Sequence, residues 1–85
     1  MKINETEFVN EIVKDICKEY HFKGDVVCKE NNLEVTLLSE YTVIIYNHTI
    51  KRADVIPTTE CFMKIRREIV FGLNQHILRF FKRNM

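Results

Sequence analysis

The sequence is poor in the residues that usually announce a function. Its 85 positions include no tryptophan, one proline, two glycines and three cysteines. No apolar run approaches the roughly 18–20 residues of a membrane-spanning helix. Each shortage removes a class of answer. With only Gly24 and Gly72 there is no glycine-rich loop to cradle a phosphate, and neither G-x-S-x-G nor H-E-x-x-H occurs. No catalytic residues are therefore expected. Pro57 stands alone, and no linker, repeat or low-complexity tract interrupts the chain, so residues 1–85 are expected to fold as one compact domain. Cys17, Cys28 and Cys61 are odd in number and far apart, which points to reduced, buried thiols rather than a disulfide framework. His21, His48 and His76 supply no close-set ligands, so no metal and no cofactor is expected. The opening MKINETEFVNEIV is acidic and amphipathic, unlike a secretory signal, and the expected location is cytoplasmic, that of the host cell if the chain is phage-encoded.

What is present is apolar material and charge. Hydrophobic residues make up 46% of the chain and charged residues 29%, the balance of a globular domain with a real core. The net charge of +1 conceals a segregation. Residues 1–50 hold five Lys/Arg against nine Asp/Glu, whereas residues 51–85 hold eight against three.

Hydrophobic periodicity predicts an α+β fold in the order α-β-β-β-α. Asn4, with Glu7 three residues on, reads as a capping box opening a helix over about 4–21. Phe8, Val9, Ile12, Val13, Ile16, Cys17 and Tyr20 form its apolar face. Gly24 is the natural place for a left-handed residue or turn beyond it. Strands are expected at about 25–30, 33–38 and 41–48, forming an antiparallel meander. Asn31-Asn32 would make a two-residue first turn. Leu33, Val35 and Leu37 should share a face with Tyr41, Val43 and Ile45, leaving Leu38, Ile44 and Tyr46 on the other. A connector over 49–57 leads to a long helix over about 58–83. Both helices are expected on one face of the sheet.

The long helix is the most informative stretch. Phe62, Ile65, Ile69, Leu73, His76, Ile77 and Phe80 form a stripe for the core. Met63, Val70, Phe71, Leu78 and Phe81 form a second seam, completed by Arg67 and Asn74, at the three- and four-residue spacing of a helix-packing surface. Such a seam implies another chain, most simply a second copy, or else cover by another part of this one. Gly72 suggests close approach by another backbone.

Two charged surfaces are candidates for recognition. Glu7, Glu11, Asp15 and Glu19 recur every four residues, as a solvated row, a partner for the basic helix, or a docking face for a basic protein. Lys51, Arg52, Lys64, Arg67, Arg79, Lys82 and Arg83 are candidate nucleic-acid contacts, with Phe81 or Tyr46 available to stack bases. The element order is that of the double-stranded-RNA-binding domain. However, the Asn31-Asn32 hairpin lacks that family's Gly-Pro and His, and Lys64, Arg66 and Arg67 stand without its paired lysines. Order alone is shared, and order does not establish function.

The expected function is that of a small, non-enzymatic binding or regulatory protein, homodimeric through its last helix and acting on an unidentified protein. Richness in Ile, Lys, Asn and Glu suggests an AT-rich genome, as for a phage or mobile-element inhibitor of a host protein. The alternative is a nucleic-acid-binding module using the basic helix. No membrane partner is expected.

Overall fold

The computed structural model describes residues 4–41 and 43–83. The chain runs through α1 (Glu5–Tyr20), β1 (Phe22–Cys28), β2 (Asn32–Ser39), β3 (Ile45–Lys51), a 3-10 turn (Arg52–Asp54) and α2 (Thr59–Arg83). The strands form one open antiparallel sheet in the order β1-β2-β3, so the α+β class and the α-β-β-β-α order are those the sequence predicts. Both helices cover the same face. α1 lies mainly over β1, and α2 touches α1 and β3. The N-terminal and C-terminal edges of the expected 1–85 domain, residues 1–3 and 84–85, lie outside the described residues.

Asn4 caps α1 by accepting the amide of Thr6 at 2.8 Å, satisfying one of the free donors of the first turn. The helix ends on His21 rather than on a glycine. His21 takes the left-handed conformation (φ 56°, ψ 46°), and its amide donates to the Cys17 carbonyl at 3.1 Å. Gly24 instead lies inside β1, paired with Leu37, and its φ is not positive. Steric room explains it. A Cβ there would stand 2.2 Å from Val13 Cγ1, 3.0 Å from Cys17 Sγ and 3.1 Å from Leu37 Cδ2. The glycine lets α1 settle directly on β1, and strand formation can begin straight after the helix.

The first hairpin is longer than a two-residue turn. Cys28 pairs with Leu33, leaving four residues between them, and the Lys29 amide donates to the Asn32 carbonyl at 2.7 Å. Neither asparagine adopts a positive φ. The loop takes its shape from a distant residue. The Arg52 side chain donates to the carbonyls of Lys29 and Glu30, and its amide donates to that of Asn31. A turn built by tertiary contact leaves no local signal.

β3 begins four residues later than expected, and this inverts its phase. Leu33, Val35 and Leu37 pair with Ile50, His48 and Tyr46, so the latter three face the helices, together with the buried Ile44. Tyr41, Val43 and Ile45, expected in the core, are exposed, while Thr42 lies outside the described residues. Of the three residues assigned to the far face, only Leu38 is there, directly across from Ile45.

The core joins one row from each helix to the inner sheet face. Val9, Ile12, Val13 and Ile16 of α1 meet Leu33, Val35 and Leu37 of β2 and Ile69 and Leu73 of α2, each essentially solvent-free. Every such side chain contributes about 1.5–3 kcal/mol relative to exposure. Phe8 and Phe62 close the helix pair edge to face, with ring centres 5.9 Å apart. Thr58, just before α2, accepts the Cys61 amide at 3.1 Å through its hydroxyl.

Gly72 faces a side chain, not the backbone that its position suggested. A Cβ at Gly72 would stand 1.9 Å from the Tyr46 hydroxyl. That hydroxyl is held by His48 Nδ1 at 2.8 Å, with the His76 ring centred 5.5 Å from the tyrosine ring. The two glycines therefore respond differently to alanine. Gly24→Ala should cost about 2–3 kcal/mol, because its new methyl meets packed core atoms. Gly72→Ala should cost about 1 kcal/mol, since only the end of Tyr46 must move and the helix gains propensity. Urea midpoints of the two variants against wild type check the ranking.

Candidate interaction surface

The outer face of α2 is apolar and uncovered among the described residues. Met63, Phe71, Leu78 and Phe81 are 57%, 67%, 58% and 51% exposed, and Val70 is half-buried. The reason is helical geometry. Ile65, Ile69 and Leu73 turn to the core, which leaves the second seam well round the helix. Met63, Arg67, Val70, Phe71 and Asn74, with Arg66 at the margin, line a groove of 390 Å³. A second groove of 370 Å³ follows along the same helix, lined by Gln75, Leu78, Arg79, Phe81 and Lys82. All five residues assigned to this seam thus lie along one helix surface.

The acidic row of α1 is partly matched by the basic helix, within one chain. Arg66 reaches from α2 to Asp15 at 2.8 Å and to Glu19 as well. These hydrogen bonds, Asp15 first, hold the guanidinium pKa above its ordinary value. Glu11 pairs with Lys14 at 3.6 Å, and Glu7 is exposed. Sequence spacing alone did not single out Arg66 as the bridge, although its place at the edge of the core stripe was the available signal.

The candidate nucleic-acid contacts do not form one surface. Arg52 donates to Glu5 at 2.7 Å while clasping the first hairpin, and that bond raises its pKa. Lys51 and Lys64 share a groove with Asp54 and Glu68. Arg67 sits in the apolar seam. Only Arg79, Lys82 and Arg83 gather, at the C-terminal end of α2, where Arg79 and Arg83 line a 200 Å³ groove with His76 and Phe80. Cations there also complement the helix dipole.

The cysteines and histidines hold structural positions. Cys17 is half-buried, and burial followed by the nearby Glu40 pushes its thiol pKa up, so it resists ionising to the reactive thiolate. Cys61 is also half-buried, donating to the Asp54 carbonyl at 3.4 Å. Cys28 departs from expectation and is exposed, because it ends β1 beyond the cover of α1. His48 lies two strands away from it and bonds Tyr46. No cluster of three metal-ligating side chains occurs among the described residues. Among these residues too, no helix is long and apolar enough to cross a membrane.

No family model, curated protein or solved structure matches this chain.

Burial gives His48 a measurable signature. Desolvation holds its pKa below the ordinary 6.5, with Glu68 acting in the opposite sense. The unfolded chain then takes up its proton first as the pH falls through 6.5, so the stabilisation from neutral His48 is complete above that value and is lost below it. Replacing His48 by Gln should flatten the dependence of unfolding free energy on pH between about 7 and 5. Denaturation series at several pH values, run beside His76→Gln as a control, check this.

Proposed function

We propose that this chain is a non-enzymatic, regulatory protein-binding module that self-associates through the outer face of α2. One observation carries the reading: four large apolar side chains, each more than half exposed, lie along one line of a helix already anchored on its opposite side. A surface of that kind on a small domain favours burial against another protein. Nothing comparable supports catalysis. The Tyr46 hydroxyl and His48 bond each other beneath α2, and among the described residues no oriented nucleophile and base stand beside an anion-stabilising site. In this reading the module acts by occupying a macromolecule's surface, and exposed carboxylates such as Glu7 and Glu11 remain available to a basic partner.

Solution mass tests self-association. Wild-type protein should scatter light as a dimer, and Phe71→Glu or Leu78→Glu should return it to a monomer with unchanged circular dichroism. A monomeric wild type at high micromolar concentration would remove the reading.

A second reading has one observation of its own, the grouping of Arg79, Lys82 and Arg83 around Phe80 and the exposed Phe81. Nucleic acid bound there should dissociate with rising salt, each phosphate contact contributing about 0.7–0.9 to the logarithmic slope. Arg79→Ala with Arg83→Ala should lower that slope by about 1.4–1.8. Absence of binding to mixed-sequence single- and double-stranded oligonucleotides at 50 mM salt would exclude it.

A further inference from the structure

We propose that the occupant of the outer α2 face is a second copy docked antiparallel, about a two-fold axis passing between Val70 and Phe71. This geometry rests on the self-association put forward above and specifies it. The order of residues along the face carries it. At about 100° per residue, Met63, Val70, Asn74 and Phe81 form one flank of the seam, and Glu60, Arg67, Phe71 and Leu78 form the other. For two layers outward from the Val70–Phe71 step the polarity is the same in both directions. Arg67 and Asn74 come first, both polar, followed by Met63 and Leu78, both apolar.

Rotation about that step brings residues of opposite flanks to the same height along the pair. Val70 then meets Phe71, Arg67 meets Asn74, and Met63 meets Leu78, each pair occurring twice, as an isologous interface requires. The guanidinium of Arg67 gains an amide oxygen within the seam. The Phe71 ring of one copy falls over the 390 Å³ groove that Met63, Arg67, Val70 and Asn74 line in the other. Further out, Glu60 of each copy approaches the end carrying Lys82 and Arg83, so opposite charges face each other at both ends. A parallel pairing would place Arg67 on Arg67, Glu60 on Glu60 and Lys82 on Lys82, like charge on like throughout. Ile65, Ile69 and Leu73 hold each body on the far side of its own helix, and Arg66 is engaged by Asp15 and Glu19, so neither obstructs the seam.

Disulfide trapping separates orientation from association. Met63→Cys and Leu78→Cys are placed in separate chains, each also carrying Cys28→Ser to remove the exposed native thiol, and one chain is lengthened by a tag. Both sites are exposed, so the fold is preserved, which circular dichroism checks. Under mild oxidation the mixed sample should give a linked dimer of intermediate size, while each variant alone remains mostly unlinked. Links formed within either variant alone, or a dimeric mass with no mixed link, would overturn the antiparallel register while leaving self-association standing. A monomeric mass for the wild-type chain would overturn both. As an independent check, Asn74→Glu should lower the dimer dissociation constant about three- to tenfold, through two new pairs with Arg67. A raised dissociation constant would contradict the proposed register.

Discussion

α2 is joined to the rest of the molecule by a narrow row, and that constraint shapes everything around it. Only Ile65, Ile69 and Leu73 of its 25 residues are buried. Half-buried neighbours, Phe62, Ile77 and Phe80 among them, widen the contact without closing it. A helix seated on so few side chains needs a close approach to its sheet. The bare backbone at Gly72 supplies that by admitting the end of Tyr46, which His48 and His76 hold in place. Gly24 does the same for α1 against β1. Both glycines of the sequence thus serve helix-on-sheet packing and neither serves a turn. The narrowness of the row also leaves the opposite face of α2 apolar and open.

Charge reinforces this arrangement at two points. Arg66 joins α2 to α1 through Asp15 and Glu19, and Arg52 joins the segment before α2 to Glu5 and to the first hairpin. Each arginine stands in the basic half of the sequence and each carboxylate in the acidic half. The segregation of charge along the chain is, in part, resolved by folding. Individually such pairs are weak, about 0.2–1 kcal/mol where exposed. Their larger contribution is to fix which way α2 lies across α1. Arg79, Lys82 and Arg83 collect at the last turns of α2.

Much of this was legible in the sequence, and the errors have a common cause. The periodic faces of both helices, the Asn4 cap and the element order follow from local pattern, and all are present. The core stripe and the second seam of α2 were separable because a helix repeats its faces over many turns. Strand boundaries were not separable in the same way. Ile44, Ile45 and Tyr46 are all apolar, so a one-residue shift of phase remains equally apolar, and only pairing with β2 decides it. The hairpin at residues 29–32 owes its shape to Arg52, far off in sequence, and left no local mark. Gly24 looked like a terminator because glycine usually is one; the volume of Val13 that excludes any other residue is invisible until α1 lies on β1. At the candidate surface, the seam residues were identifiable from spacing, whereas the division of the basic residues among several sites depends on tertiary placement.

The order β1-β2-β3 leaves the sheet with two outer strands, and each is bordered by side chains that discourage another strand. Lys23 and Asp25 project from β1, and Asn47, Thr49 and Lys51 from β3, all exposed. An added strand would have to desolvate these groups before gaining its backbone bonds, a common defence against edge-to-edge growth. The outer line of α2 is mostly apolar, with Arg67 and Asn74 as polar members. Edge pairing of sheets, which propagates without limit, is therefore hindered, whereas the antiparallel pairing proposed for α2 would close on itself after two copies. Association of that proposed kind would stop at two.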